Sequence, residues 1–309
     1  MFRKFLFVGL TALISASADA GVVSSLLSFN GNSDVLTDDS VGLFVENGTV
    51  DNVLEVGDYL QGMISFDPLG GNAVPAGSSV IGAYSLEVVS IGAGGSSLEL
   101  RGASGADSIT SILAAAGVDM SGLSGSFAGQ DNGFVLLESS TVDVDRTDFV
   151  AGPFGFDVPV TGADFDAIAV LGFDGVDDQH TVTAAPNALT PLDPFDVYDL
   201  TDLATAATFA GSGVPFASFF GTYSITDHAF GSGVQFLPVQ NLFTGGFGDV
   251  TILNGSISGT NADTEPNGWD YNDDGDFNIN AVPEPGTVIG FALLGVSGAL
   301  SRRRRRLAA

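Results

Sequence analysis

Between residues 21 and 259 the chain runs in short apolar stretches separated by Gly, Asn, Asp and Ser. Gly62, Ile64 and Phe66 alternate with Met63, Ser65 and Asp67. Tyr84, Leu86 and Val88 alternate with Ser85, Glu87 and Val89, and Leu98 and Leu100 with Ser97, Glu99 and Arg101. A period of two sets one face of a strand on a core and the other in water. Further strands are predicted at 22–29, 41–46, 133–141, 165–173, 216–226, 234–239 and 250–257. Asn47-Gly48 and Gly94-Gly95 are the hairpin signals. Two segments depart from this pattern. Residues 107–118 read as a helix with Asp107 or Ser108 as N-cap and Gly117 at its end, and 199–210 read likewise with Gly211 after it. Both are about three turns or less, so they are connections on a β framework. The expectation is a mainly β chain. An antiparallel β-sandwich or jelly-roll-like body, with one or two short helices, is preferred over a related barrel. The stretch 186–194, with Pro186, Pro191 and Pro194, reads as a long surface loop within one sandwich.

Composition sharpens this picture. Aspartate accounts for 30 of the 37 acids, and it favours turns and caps over helix interiors. Cysteine is absent, which removes disulfides, thiol catalysis and thiolate metal sites together. A body of about 260 residues is long enough to bury a core without them, and 24 phenylalanines supply it.

The start of the chain reads as a secretory signal peptide over residues 1–20. Arg3 and Lys4 precede an apolar run from Phe5 to Ile14, and Ala18-Asp19-Ala20 forms an A-x-A cleavage site at Ala18 and Ala20. Its partners are the Sec translocon and signal peptidase. Setting aside residues 1–20 and 282–309 leaves two basic residues, Arg101 and Arg146, against 35 acids, a formal charge of −33. Such a body repels nucleic acid, attracts divalent cations and stays soluble.

Candidate chemistry is sparse. Beyond the signal peptide and the tail there is no Lys, and the histidines are His180 and His228, each beside acids that would raise its pKa. No nucleophile-elbow sequence accompanies them, and both read as incidental loop residues. Carboxylate pairs for glycoside hydrolysis are too numerous to single one out. The single tryptophan, Trp269, and five tyrosines offer little for a sugar-binding face.

The sharpest local pattern in the body begins at Asp270. Counting it as position one, Asn272, Asp274, Asp276 and Asn278 fall at three, five, seven and nine, with Gly275 at six. This resembles the calcium loop of EF-hand and dockerin modules. It departs from that pattern at position twelve, where Ala281 replaces the closing acid. The competing and preferred reading is a polar linker over 260–281, and calcium is the one cofactor suggested.

At the end of the chain, Pro283-Glu284-Pro285 is followed by an uncharged stretch from Gly286 to Leu300 and then by Arg302, Arg303, Arg304, Arg305 and Arg306. Two prolines in three residues keep the backbone extended, the stretch reads as a transmembrane helix, and the arginines as its cytoplasmic stop. This order resembles the PEP-CTERM sorting signal of exported bacterial proteins. The resemblance implies an exosortase partner, a transient inner-membrane span, and delivery to the surface or matrix of an outer-membrane bacterium that makes exopolysaccharide. The layout is thus a signal peptide (1–20), a β-rich domain (21–259), an acidic linker (260–281) and a sorting signal (282–306). The expected function is that of a non-enzymatic surface or matrix protein associated with exopolysaccharide. A calcium-assisted carbohydrate-binding module and a polysaccharide hydrolase with an Asp/Glu pair are the alternatives.

Overall fold

The computed structural model describes residue 22 and residues 34–48, 54–68, 74–92, 97–152, 154–173, 178–184, 217–230, 234–236, 251–259, 268–279 and 281–283. Its strands are β1 (Asp34–Val45), β2 (Tyr59–Pro68), β3 (Ser79–Ile91), β4 (Ser97–Gly102), β5 (Asn132–Ser139), β6 (Phe149–Val150) and β7 (Gly155–Phe156). They continue as β8 (Asp166–Gly172), β9 (Gln179–Ala184), β10 (Ala217–His228), β11 (Val234–Phe236), β12 (Thr251–Gly259), β13 (Tyr271–Ile279) and β14 (Ala281–Pro283). One α-helix lies among the described residues, α1 (Ile109–Ala116). Its ends form as the sequence predicts. The Ser108 side chain accepts from the Ser111 N–H, and Gly117 closes the helix at φ 90°, a left-handed conformation that favours glycine. The second expected helix, at 199–210, lies outside the described residues, as does the loop at 186–194.

The main sheet closes on itself. Its circuit runs β12-β13-β1-β2-β3-β4-β9-β10 and returns to β12, an eight-stranded antiparallel barrel. Two long strands fork. On β3, Leu86–Ile91 pairs with β4 while Ser79–Tyr84 pairs with β5. On β10, Ala217–Thr222 pairs with β9 while Ser224–His228 pairs with β8. The β5–β8 pair therefore bridges the same two strands at a different level. This corrects the expected sandwich or jelly roll. Pairing of β12 with both β10 and β13 leaves the circuit no open edge, and closure satisfies the backbone groups that a sandwich leaves at its margins.

The expected transmembrane helix is not seen among the described residues. No helix among the described residues is long and apolar enough to cross a membrane, and the stretch from Gly286 to Leu300 lies outside the described residues. The 260–281 segment departs from the linker reading as well. Residues 271–279 form β13, paired along its whole length with β1 on one side and β12 on the other.

Two apolar layers flank the wall. The interior holds Leu36, Phe66, Leu86, Phe134, Phe219 and Phe277. A second layer covers the outer face of β1, β2, β3, β5 and β8, where Val41, Met63, Ile81, Val135 and Val170 meet Ile109, Leu113, Phe149, Phe165 and Trp269. Helix α1, the segments on either side of β5 and Trp269 form this cover.

Candidate functional site

The barrel interior is packed with aromatic rings. His180 on β9 lies between Phe134 and Phe219, with ring centroids 6.0 Å from each and planes nearly parallel. Its Nδ1 hydrogen-bonds the Tyr223 hydroxyl. Tyr84 and Tyr271 share a second buried hydrogen bond, 2.8 Å between their oxygens. Glycine makes room for these rings: a Cβ at Gly42 would overlap the Tyr271 ring, and one at Gly62 the Tyr84 hydroxyl. The remaining void, lined by Ile64, Phe134, Tyr223 and Phe277 among others, measures about 10 Å³, room for about one water. Among the described residues this interior is a packed core.

Both histidines differ from their expected setting. His180 is a strand residue, 5% exposed, and burial pushes its pKa down to about 3. The imidazole therefore stays neutral and serves as a polar element of the core. His228, at the end of β10, is also pushed down by burial, which outweighs the opposing charge of Asp227. Asp227 itself is a clamp. Its carboxylate accepts from the backbone N–H groups of Ser124, Ser126 and His228 and from the Ser124 hydroxyl, at 2.8–3.1 Å. Burial pulls its pKa upward, but these hydrogen bonds win and hold it below the usual carboxylate range. Trp269 is buried in the outer layer and donates its indole N–H to the Phe149 carbonyl at 3.1 Å. It offers no platform for a sugar.

The outer layer carries a sizeable hollow. A groove of about 480 Å³ runs between α1 (Ser111, Ile112, Ala115) and the β6–β7 hairpin with its following loop (Phe154, Phe156, Val160). Phe154 has φ 66°, a strained backbone for a bulky residue. Its ring is held edge-on against Phe156 and Phe165, at 5.1 and 5.7 Å between centroids. Near this layer, the backbones of Asp119 and Asp166 form an isolated parallel β-bridge. Hydrogen bonds from Ser121 lower the Asp119 pKa. Burial and then the Asp119 charge raise that of Asp166. The two carboxyl groups are thus pushed in opposite directions. Sequence spacing alone gave no hint of this pair.

The proposed calcium ligands do not surround a point. Tyr271, Phe277 and Ile279 face the interior, so strand alternation sends Asn272, Asp274, Asp276 and Asn278 to the outer face. Successive outward residues lie about 7 Å apart along a strand, whereas ligands of one calcium ion each sit about 2.4 Å from it. Asp270 precedes the strand and is otherwise engaged. Its Oδ2 accepts from the Phe44 N–H at 2.9 Å, while burial raises its pKa against the effect of that bond. Among the described residues no three His, Asp or Glu side chains converge on a metal position.

Both arginines of the body are committed internally. Arg146 pairs with Asp39 at 2.5 Å, and Asp39 stands opposite Asp274 across the β1–β13 register. Arg101 donates to the Asp178 carbonyl at 2.9 Å, lies 3.6 Å from Glu99 and stacks over the Phe173 ring. The remaining acids have no further lysine or arginine in residues 21–281 to neutralise them.

Of the expected sorting residues, Pro283 closes β14. Glu284, Pro285, Arg302, Arg303, Arg304, Arg305 and Arg306 lie outside the described residues, as do Ala18 and Ala20. Fold and charge together define an acidic, closed β-barrel with a filled interior and a short strand leading into a basic tail. That tail, residues 281–306, matches the PEP-CTERM protein-sorting motif. The motif is that of exported, exosortase-sorted proteins, and it gives an exosortase as the processing partner of this tail. No curated protein and no solved structure matches the chain.

Proposed function

We propose that the chain is a non-enzymatic component of the cell surface or extracellular matrix of an outer-membrane bacterium. On this reading it is exported through the Sec translocon, trimmed by signal peptidase after Ala20, and sorted by an exosortase. The observation that carries the reading is the sorting motif at 281–306 on a body with 35 acids and two arginines, both of them paired within the fold. Such a surface collects divalent counterions from the medium. It thereby bridges to anionic exopolysaccharide through shared cations, without needing a dedicated calcium loop. The filled barrel supplies a rigid, disulfide-free carrier for that charge.

Deleting the gene from a producing strain tests this reading. Matrix cohesion is expected to fall, to return with the wild-type gene, and to stay low with a version truncated after residue 281. Unchanged cohesion in the deletion strain would contradict the matrix role. A second reading, a polysaccharide hydrolase, draws support from the divergent Asp119 and Asp166. It requires turnover of an extracellular polymer by the purified body that is abolished by Asp166→Asn.

A further inference from the structure

The matched tail begins inside a β-ladder. Strand β14 pairs antiparallel with β11, setting Ala281 against Phe236, Val282 against Gln235 and Pro283 against Val234. Both strands leave the barrel from fixed points. One residue separates β14 from Ile279, the buried last residue of β13. Upstream of β11, Phe230 is buried in the interior layer and the Ala229 N–H bonds the Ile168 carbonyl at 2.8 Å. Short tethers from a rigid wall make the closure entropy of this pairing small. The ladder is nonetheless marginal. It is three residues long, and Pro283 has no N–H with which to extend it. A two-stranded ladder of this size sits at the low-stability end of a fold, where local opening occurs.

A protease that binds its substrate as an extended strand uses the same backbone groups that β11 occupies. We propose that β11 is a docking strand for the sorting tail, holding Val282 and Pro283 against the body so that exosortase processing requires β14 to peel away first. This rests on the reading of the tail as an exosortase substrate. β11 is then a positioning element that sets how fast the tail is released, and the three-residue ladder is short enough for the enzyme to open.

The absence of cysteine makes the test clean. In the full chain, Gln235→Cys and Val282→Cys together create a single possible disulfide across the register. Produced in a host without exosortase and oxidised, the double variant is expected to form the intramolecular bond in most molecules. Moved into a producing strain, the bonded form should keep its tail until reductant is added. Separately, Gln235→Pro and Phe236→Pro address two neighbouring positions whose N–H groups point to opposite sides, so one of them faces β14. That one should be processed several-fold faster than wild type, with an unchanged barrel melting temperature. Failure of the disulfide to form in folded protein would overturn the proposal, and so would tail removal at the wild-type rate from the bonded form or from both proline variants. If the wild-type tail is never removed, the exosortase reading falls and the gating role with it, while the disulfide yield still reports the pairing.

Discussion

The barrel wall contains two kinds of strand. On β5 all eight residues are buried, and on β3 the first eight are, because the interior fills one side and the layer under α1, Phe165 and Trp269 covers the other. On β4 burial alternates, with Leu98 and Leu100 inward and Glu99 outward. β13 likewise turns Tyr271 and Phe277 inward and Asp274 outward. Strands covered on both faces read as continuous apolar runs, and strands covered on one face alternate. One closed sheet thus carries the patterns of two architectures, an arc covered on both faces and an arc bare on its outer face.

The largest expected effect probes the interior that both arcs share. His180 titrates near 6.5 when unfolded and at about 3 when folded. The unfolded chain therefore binds a proton that the folded one refuses throughout that window, and stability falls as pH drops from about 6.5 towards 3. The shift sets an upper bound of about 5 kcal/mol. Urea midpoints measured across this range should show the slope, and His180→Phe should flatten it.

On the covered arc, Phe165 is fully buried and stacks on Phe156, with 5.3 Å between centroids. Phe165→Ala is expected to cost about 3–5 kcal/mol in denaturant unfolding. Asp227→Ala, which frees the loop at Ser124 and Ser126, should cost about 1–3 kcal/mol. Because the folded Asp227 pKa is lowered, the contribution of this residue is present above the unfolded carboxylate range and lost as pH falls through its folded value. On the bare arc, Asp274→Ala should change stability by no more than about 0.5 kcal/mol. A large loss there would erase the distinction between the arcs.

The same contrast explains what was legible in the sequence. Alternation placed β2, β3 and β4, whereas Asn47-Gly48 does not close a two-residue hairpin: β1 and β2 pair antiparallel across a connection that spans residues 46–58. Ser108 and Gly117 bounded α1. Closure was not legible, because inward and outward periodicity is the same in a barrel and a sandwich. What distinguishes them is the pairing of Phe219 with Gly255 and its neighbours, which no local pattern encodes. β13 misled for a sharper reason. Oxygen ligands at every second position of a calcium loop have the spacing of a strand's outer face, so Asn272, Asp274, Asp276 and Asn278 fit both. Phe277 and Ile279 carried the strand signal, but Gly275 and the surrounding acids masked it. His180 was misjudged because the acids beside it in sequence are not its neighbours in space, where it meets Phe134, Phe219 and Tyr223. The Asp119–Asp166 approach arises from tertiary packing alone.

Export and sorting of this chain depend on the tail being an address that is read and processed. The intact mass of the protein recovered from the surface or medium of a strain with an active exosortase tests this most directly. The predicted result is a chain that starts at Gly21 and lacks Arg302–Arg306. A mass that includes those arginines through Ala309 would contradict it.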